Sequence, residues 1–205
     1  MKEIMSSDMK NKFTIVFIGR SGSGKGTLAK FILQKLGTSA YHIETGQILR
    51  SLIEKPNPTT ALIKQILKEG QFVPSWIPSF LWIKEFIEKG VACKHLVFDG
   101  SPRMISEAIN LDEVLKWHGR SPSICIFVEV GEKEATKRLI LRGRVDDNML
   151  AIKNRMKSFS KFVMPVMEYY KKHKRLILVN GNQSPEKVWE EVNFLLKKRL
   201  GSKWR

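Results

Sequence analysis

Five short runs of apolar and β-branched residues punctuate the chain, at 13–18, 40–43, 95–98, 124–130 and 176–179. Most lack polar alternation, the pattern of strands buried on both faces in a parallel sheet covered by helices. Segments of helical period separate them, at 26–36, 106–117, 132–141 and 148–170, and a last one, 185–198, follows. Alternating strand and helix predicts an α/β three-layer sandwich around a five-stranded parallel sheet.

Two regions break the alternation. Residues 44–88 carry helical signals alone, punctuated by Pro56, Pro58, Pro74 and Pro78, and read as a helical insert over the sheet. Within 148–170, Pro165 lacks a backbone donor and is expected to kink or end the helix.

With 205 residues and 42% apolar content, the chain can bury one sizeable core, and one domain at 13–205 is expected after a flexible tail at 1–12. No apolar stretch approaches the ~20 residues of a membrane-spanning helix, and residues 1–12 lack the apolar region of a secretory signal. A cytosolic protein with no membrane partner is therefore expected. Cys93 and Cys125 adjoin apolar runs, too far apart for a paired metal motif, and read as buried thiols. The net charge of +16 attracts acidic partners, whether nucleotides, nucleic acid or anionic surfaces, without choosing among them.

The choice comes from Gly19-Arg20-Ser21-Gly22-Ser23-Gly24-Lys25, which follows the first strand directly and opens a helix, the context a P-loop requires. Glycines let backbone N–H groups turn inward around phosphate oxygens, the helix N-terminus adds partial positive charge, and Lys25 adds a mobile full one. The bland alternative is a flexible glycine turn. Gly26 follows Lys25 where most P-loops carry a magnesium-ligating hydroxyl, and the hydroxyl comes one later, at Thr27. Magnesium brought with ATP would then sit mostly among waters, with Asp99 and Thr27 as partners through water.

Gly24-Lys25-Gly26-Thr27 is the form of this loop found in adenylate kinases, and further segments resemble that family in the same order over nearly the whole chain. Thr45-Gly46 with Arg50 resembles its monophosphate site, and Gly70-Gln71-Phe72-Val73 its base-contacting backbone. Asp99-Gly100-Ser101-Pro102-Arg103 resembles its Asp-Gly-Phe-Pro-Arg, and Arg138, Arg142, Arg144-Val145-Asp146-Asp147-Asn148 and Arg155 its arginine cluster around the lid. The resemblance implies a P-loop NTPase fold with a small helical monophosphate-binding insert at about 44–73 and a minimal lid at about 142–148. That lid lacks the four cysteines of zinc-bearing relatives, so no zinc is expected.

It also implies roles. Gly22, Ser23, Gly24, Lys25, Gly26, Thr27, Arg138, Arg142 and Gln183 would hold ATP, with Arg138 stacked on adenine. Thr45, Gly46, Arg50, Gln71, Phe72, Val73, Gly100, Arg103, Glu107, Arg144 and Arg155 would hold the monophosphate. Lys25, Arg103, Arg142, Arg144 and Arg155 would be catalytic, oriented in part by Asp146 and Asp147. Phosphoryl transfer between nucleotides is mainly positioning plus electrostatics, for which planar, permanently charged guanidinium forks are suited.

Each residue also has a plainer reading. Arg138, Arg142 and Arg155 stand at helical spacing, as on a solvated basic face; Asp99 and Thr45 can be caps. His42, His95, His118 and His173 show no ligand spacing and read as structural, as do Trp117, Tyr169 and Tyr170. The lysine-rich 171–175 and the tail 197–205 read as solvated ends. Ser21, Glu44, Gln47, Ser101 and Glu107 depart from the adenylate kinase pattern. Glu107 stands where AMP-specific members place a base-reading glutamine, and an ionised glutamate only accepts hydrogen bonds, so AMP remains the first choice with GMP or UMP/CMP as alternatives. A basic nucleotide- or nucleic-acid-binding protein with weakened catalysis is the alternative of another class, although nucleic acid is not the expected partner. A monomer is expected.

Overall fold

The computed structural model describes residues 9–144 and 147–204. Strands β1 (Thr14–Ile18), β2 (Ala40–Glu44), β3 (His95–Asp99), β4 (Ile124–Glu129) and β5 (Leu176–Asn180) pair in parallel, in the spatial order β2-β3-β1-β4-β5. Every residue of central β1 is buried. Ile15 and Phe17 point to one core, shared with α1 (Lys25–Leu36) and α9 (Pro185–Leu200). Val16 and Ile18 point to the other, shared with α4 (Trp76–Lys89), α5 (Ile105–Trp117) and α8 (Met164–Lys172). Two covered faces explain the missing alternation, and each buried Ile or Phe contributes about 1.5–3 kcal/mol relative to exposure.

Within the region expected as one helical insert, the elements divide by what they bury. α2 (Thr45–Leu52) and α3 (Pro58–Lys68) gather around a small core of Leu49, Ile63, Val73, Ile77 and Leu81. α4 bridges this core and the main one, with Ile77 and Leu81 in the first and Trp82 and Phe86 in the second. α3 starts sharply because the Asn57 side chain accepts the Thr60 N–H at 3.0 Å while Thr60 Oγ1 accepts the Asn57 N–H at 2.9 Å, with Pro58 at the first helical position.

On the other side of the cleft, α6 (Glu132–Arg142) ends at Gly143 in the left-handed conformation. α7 (Met149–Ser158) begins where the Asn148 side chain accepts the Ala151 N–H at 2.9 Å. Val130, Ala135, Leu139, Ile152 and Met156 form the small core beneath these helices. α7 passes through a π-helical turn, Phe159–Val163, into α8. The helix thus changes pitch just before Pro165, which sits in the first turn of α8, where a missing N–H is tolerated. At the other end of the chain, Met9–Asn11 form a 3-10 turn and Met9 packs against the core, so this part of the expected flexible tail is anchored; residues 1–8 lie outside the described residues. Among the described residues no helix is long and apolar enough to cross a membrane.

Candidate active site

The glycine loop joins β1 to α1 at the carboxyl end of the central strand, where open parallel sheets bind ligands. Gly22 has φ +84°, and a Cβ there would lie 2.5 Å from the Ala135 carbonyl oxygen, so a larger residue would not fit this turn. Lys25 folds back over the loop, donating to the carbonyls of Arg20 at 2.7 Å and Gly19 at 3.0 Å. Burial pushes its ammonium down from 10.5 to about 8; Asp99 opposes the shift, and Arg103 and Arg142 reinforce it.

Gly26 has a different job. A Cβ there would lie 3.1 Å from Asp99 Oδ2, so the missing side chain keeps the end of β3 open beside the loop. Asp99, Thr27 and Lys25 all line the same cleft.

That cleft, about 470 Å³, lies between the loop, the α2–α3 insert and the α6–α7 junction, within the size range of small-molecule sites. Among the described residues, eight cationic side chains line it: Lys25, Lys30, Arg50, Arg103, Arg138, Arg142, Arg144 and Arg155. Several are held in place. Asp147, whose side chain is 1% exposed, accepts from Arg142 at 2.8 and 2.7 Å and from Arg155 at 2.5 Å. Burial alone would raise the Asp147 pKa; the bonds and charges of Arg142 and Arg155 outweigh it and leave the carboxyl below its usual range. Val145 and Asp146, expected beside these arginines, lie outside the described residues.

Arg50 pairs with Glu44 at 3.1 Å, so one departure from the family pattern serves as a counter-ion. The Arg103 guanidinium carbon lies 4.7 Å from the Phe72 ring centroid, and burial, opposed by Glu107, lowers its pKa. Arg138 donates to Glu134 at 2.7 Å and to the Gly181 carbonyl at 2.9 Å. Gly24, Gly46, Gln71 and Gly100 complete the expected residues on the cleft wall.

Other expected residues do not reach the cleft surface. Ser23 and Thr45 are buried, and Val73 belongs to the insert's own core. Gln183 turns away, donating to Glu191 at 3.1 Å and to the Asn180 carbonyl at 3.3 Å. Glu107 is 2% exposed and accepts the Arg103 N–H at 3.2 Å, so the carboxyl expected to read a base is enclosed in the wall in this conformation. Burial raises its pKa from 4.5 to about 7, against the pull of Arg103.

The cleft also contains residues that were not expected to bind a ligand. His42, read as structural, lines it two residues before Glu44 on the same face of β2, and its Nε2 is buried without a hydrogen-bond partner. Lys30 follows Thr27 at helical spacing, and Leu49 and Leu67 supply an apolar wall. Strand period from Glu44 and helix period from Thr27 were the signals available for the first two.

A glycine loop of the P-loop type at the head of the central strand, facing a wall of guanidinium groups across one cleft, defines the site of a P-loop phosphotransferase. A sequence model of the family described as adenylate kinase matches residues 17–175. The adenylate kinase of Azobacteroides pseudotrichonymphae is 35% identical over 182 residues, covering 87% of this chain and 94% of that protein. Adenylate kinase 1 of a Nostoc species is 31% identical over 188 residues, covering 92% and 98%. UMP-CMP kinase 2 of Oryza sativa subsp. japonica is 35% identical over 185 residues, covering 89% and 73%. The chain belongs to the adenylate kinase family and is a nucleoside monophosphate kinase.

Proposed function

We infer that the chain transfers the γ-phosphate of ATP to AMP, giving two ADP, and that the cleft holds the two nucleotides end to end. The convergence of Lys25, Arg103, Arg142, Arg144 and Arg155 on one cavity carries this reading. An oxygen of the acceptor phosphate attacks the γ-phosphorus as the bond to the β–γ bridging oxygen breaks, and ADP leaves with that electron pair. The acceptor oxygen is already ionised, so no base is needed to remove a proton.

The loop amides and Lys25 would hold the ATP phosphates, and Arg50 and Arg103 the acceptor phosphate. Arg142, Arg144 and Arg155 would then meet the charge that builds on the equatorial oxygens. For this the arginines on Asp147 and Glu44 must exchange carboxylate for phosphate, a swap between bonds of similar kind. The insert and the α6–α7 junction would close over the nucleotides and exclude water, which would otherwise take the phosphate.

Magnesium fits the oxygen donors present: the Asp99 carboxylate, kept open by Gly26, and the Thr27 hydroxyl, both acting through water. When bound with ATP it would neutralise charge on the phosphates. Cys93, expected to be buried like Cys125, is exposed; both thiols are free, which supports a cytosolic setting, and one chain carries every residue assigned here, so a monomer suffices.

Glu107 supports a second reading, a GMP or UMP/CMP preference, because above about pH 7, where its buried carboxyl ionises, it would favour a base edge of donors. Turnover with AMP, GMP, UMP and CMP at fixed ATP separates the two. AMP is expected to give the highest kcat/KM; a higher value with another monophosphate would replace AMP as the acceptor.

A further inference from the structure

Arg20 occupies the second position of the glycine loop, and its two ends do different work. Its carbonyl accepts the Lys25 ammonium at 2.7 Å. Its side chain leaves the loop in another direction and is not part of the main cleft's wall. The guanidinium carbon sits 4.2 Å from the centroid of the Phe159 ring, and Nη1 donates to the Val130 carbonyl at 3.1 Å.

Both contacts lead to the arginine-bearing side of the site. Phe159 is 3% exposed, packs on Phe127 of β4, and opens the π-helical turn one helical turn after Arg155. π-turns of this kind often mark functional positions. Val130 lies at the end of β4 and shares the small core beneath α6 and α7 with Leu139, Ile152 and Met156. A gap of only about 20 Å³ separates Ser21 and Lys25 of the loop from Arg155 and Phe159. The Arg20 Nε is buried without a partner, a cost that a merely space-filling Leu or Met would not incur.

We propose that Arg20 is a positioning residue that fastens the phosphate loop to the helix carrying Arg155, and so sets the separation of Lys25 and Arg155 across the transferring phosphate. This rests on the kinase reading above. The stack on Phe159 resists sliding of the helix, and the bond to Val130 fixes the loop's height above β4. Because Arg20 touches neither nucleotide in that reading, its loss acts on transfer more than on binding.

Steady-state kinetics of wild type, Arg20→Ala, Arg20→Lys, Phe159→Leu and the double variant Arg20→Ala/Phe159→Leu test this. Displacement of reacting groups by about 1 Å costs on the order of 10²-fold, so Arg20→Ala should lower kcat by at least about tenfold while both nucleotide KM values move by less than about threefold. A lysine cannot both cover the ring and reach the Val130 carbonyl, so Arg20→Lys should restore only part of kcat. If the two residues form one link, the double variant should be no slower than the slower single one. An unchanged kcat in Arg20→Ala, a loss confined to the KM for ATP, or multiplicative losses in the double variant would each overturn the proposal. Phe159→Leu keeps the apolar contact, so the link stays testable if Arg20→Ala fails to fold. Absence of turnover in wild type would strike the kinase reading itself, whereas wild-type turnover with an indifferent Arg20→Ala strikes the positioning role alone.

Discussion

Glu107→Gln should stabilise the ligand-free fold at alkaline pH, by an amount that depends on pH in a defined way. Glu107 is 2% exposed, and its folded-state pKa is raised from 4.5 to about 7. Between those values the folded chain keeps a proton that the unfolded chain has released, so stability falls as pH rises through the window and levels off above it. At about 1.4 kcal/mol per pH unit, a window of roughly 2.5 units corresponds to about 3 kcal/mol. Glutamine keeps an acceptor for the Arg103 N–H but never ionises. The stability gain of the variant should therefore grow from about 1 kcal/mol near pH 5 to about 3 kcal/mol near pH 8. For a chain of this size that is a rise in Tm on the order of 10 °C at the alkaline end. Urea denaturation of both proteins across this pH range, with m-values compared, measures the difference directly. Parallel pH profiles for the two proteins would show that the Glu107 carboxyl is not held neutral by its surroundings.

The same substitution should raise selectivity for AMP over GMP and CMP in a coupled assay; unchanged selectivity ratios would remove Glu107 from base reading. Lys25→Ala should lower kcat by at least about 10²-fold, the scale for a lost preorganised charge donor, with the circular dichroism spectrum retained, and near-normal turnover would contradict its role. Because Lys25 in the free protein is held near 8 by burial, and phosphate oxygens would restore its charge, ATP binding at pH 8 should take up protons and weaken as pH rises further. Calorimetry in buffers of different ionisation enthalpy reads this, and zero proton uptake would refute it. Asp147→Asn should weaken the hold on both Arg142 and Arg155 and lower kcat by about 10- to 100-fold; a kcat within about twofold of wild type would make Asp147 dispensable for orienting them.

The strands were legible because β1, β3 and β4 are buried on both faces, which leaves uninterrupted apolar runs such as Ile15 to Ile18. The glycine loop was legible because its φ > 0 turn and its lysine must be written locally. The arginines were harder. Their spacing alone suits a solvated helix face, and only the tertiary meeting of α6, α7 and β3 shows that they share a cleft. Glu107 was legible only in part: its position follows from the motif, but its enclosure and its bond from the Arg103 N–H depend on the folded turn between them, which no local pattern encodes. Pro165 announced a disturbance in the helix, yet the π-helical turn lies before it, because the helix runs on from α7 and the proline ring crowds the carbonyl four residues earlier, at Lys161 within that turn. Nothing local marks Arg20, because its place over Phe159, far later in the chain, is set by tertiary packing alone.

Titration calorimetry with a dinucleoside pentaphosphate, two adenosines joined through five phosphates, is the sharpest single measurement. If one cavity grips both polyphosphate ends, one molecule should bind per chain, more tightly than ATP or AMP alone. Binding no tighter than ATP, or at more than one equivalent, would mean that the two nucleotides are not held in line, and phosphate transfer between them would lose its structural basis.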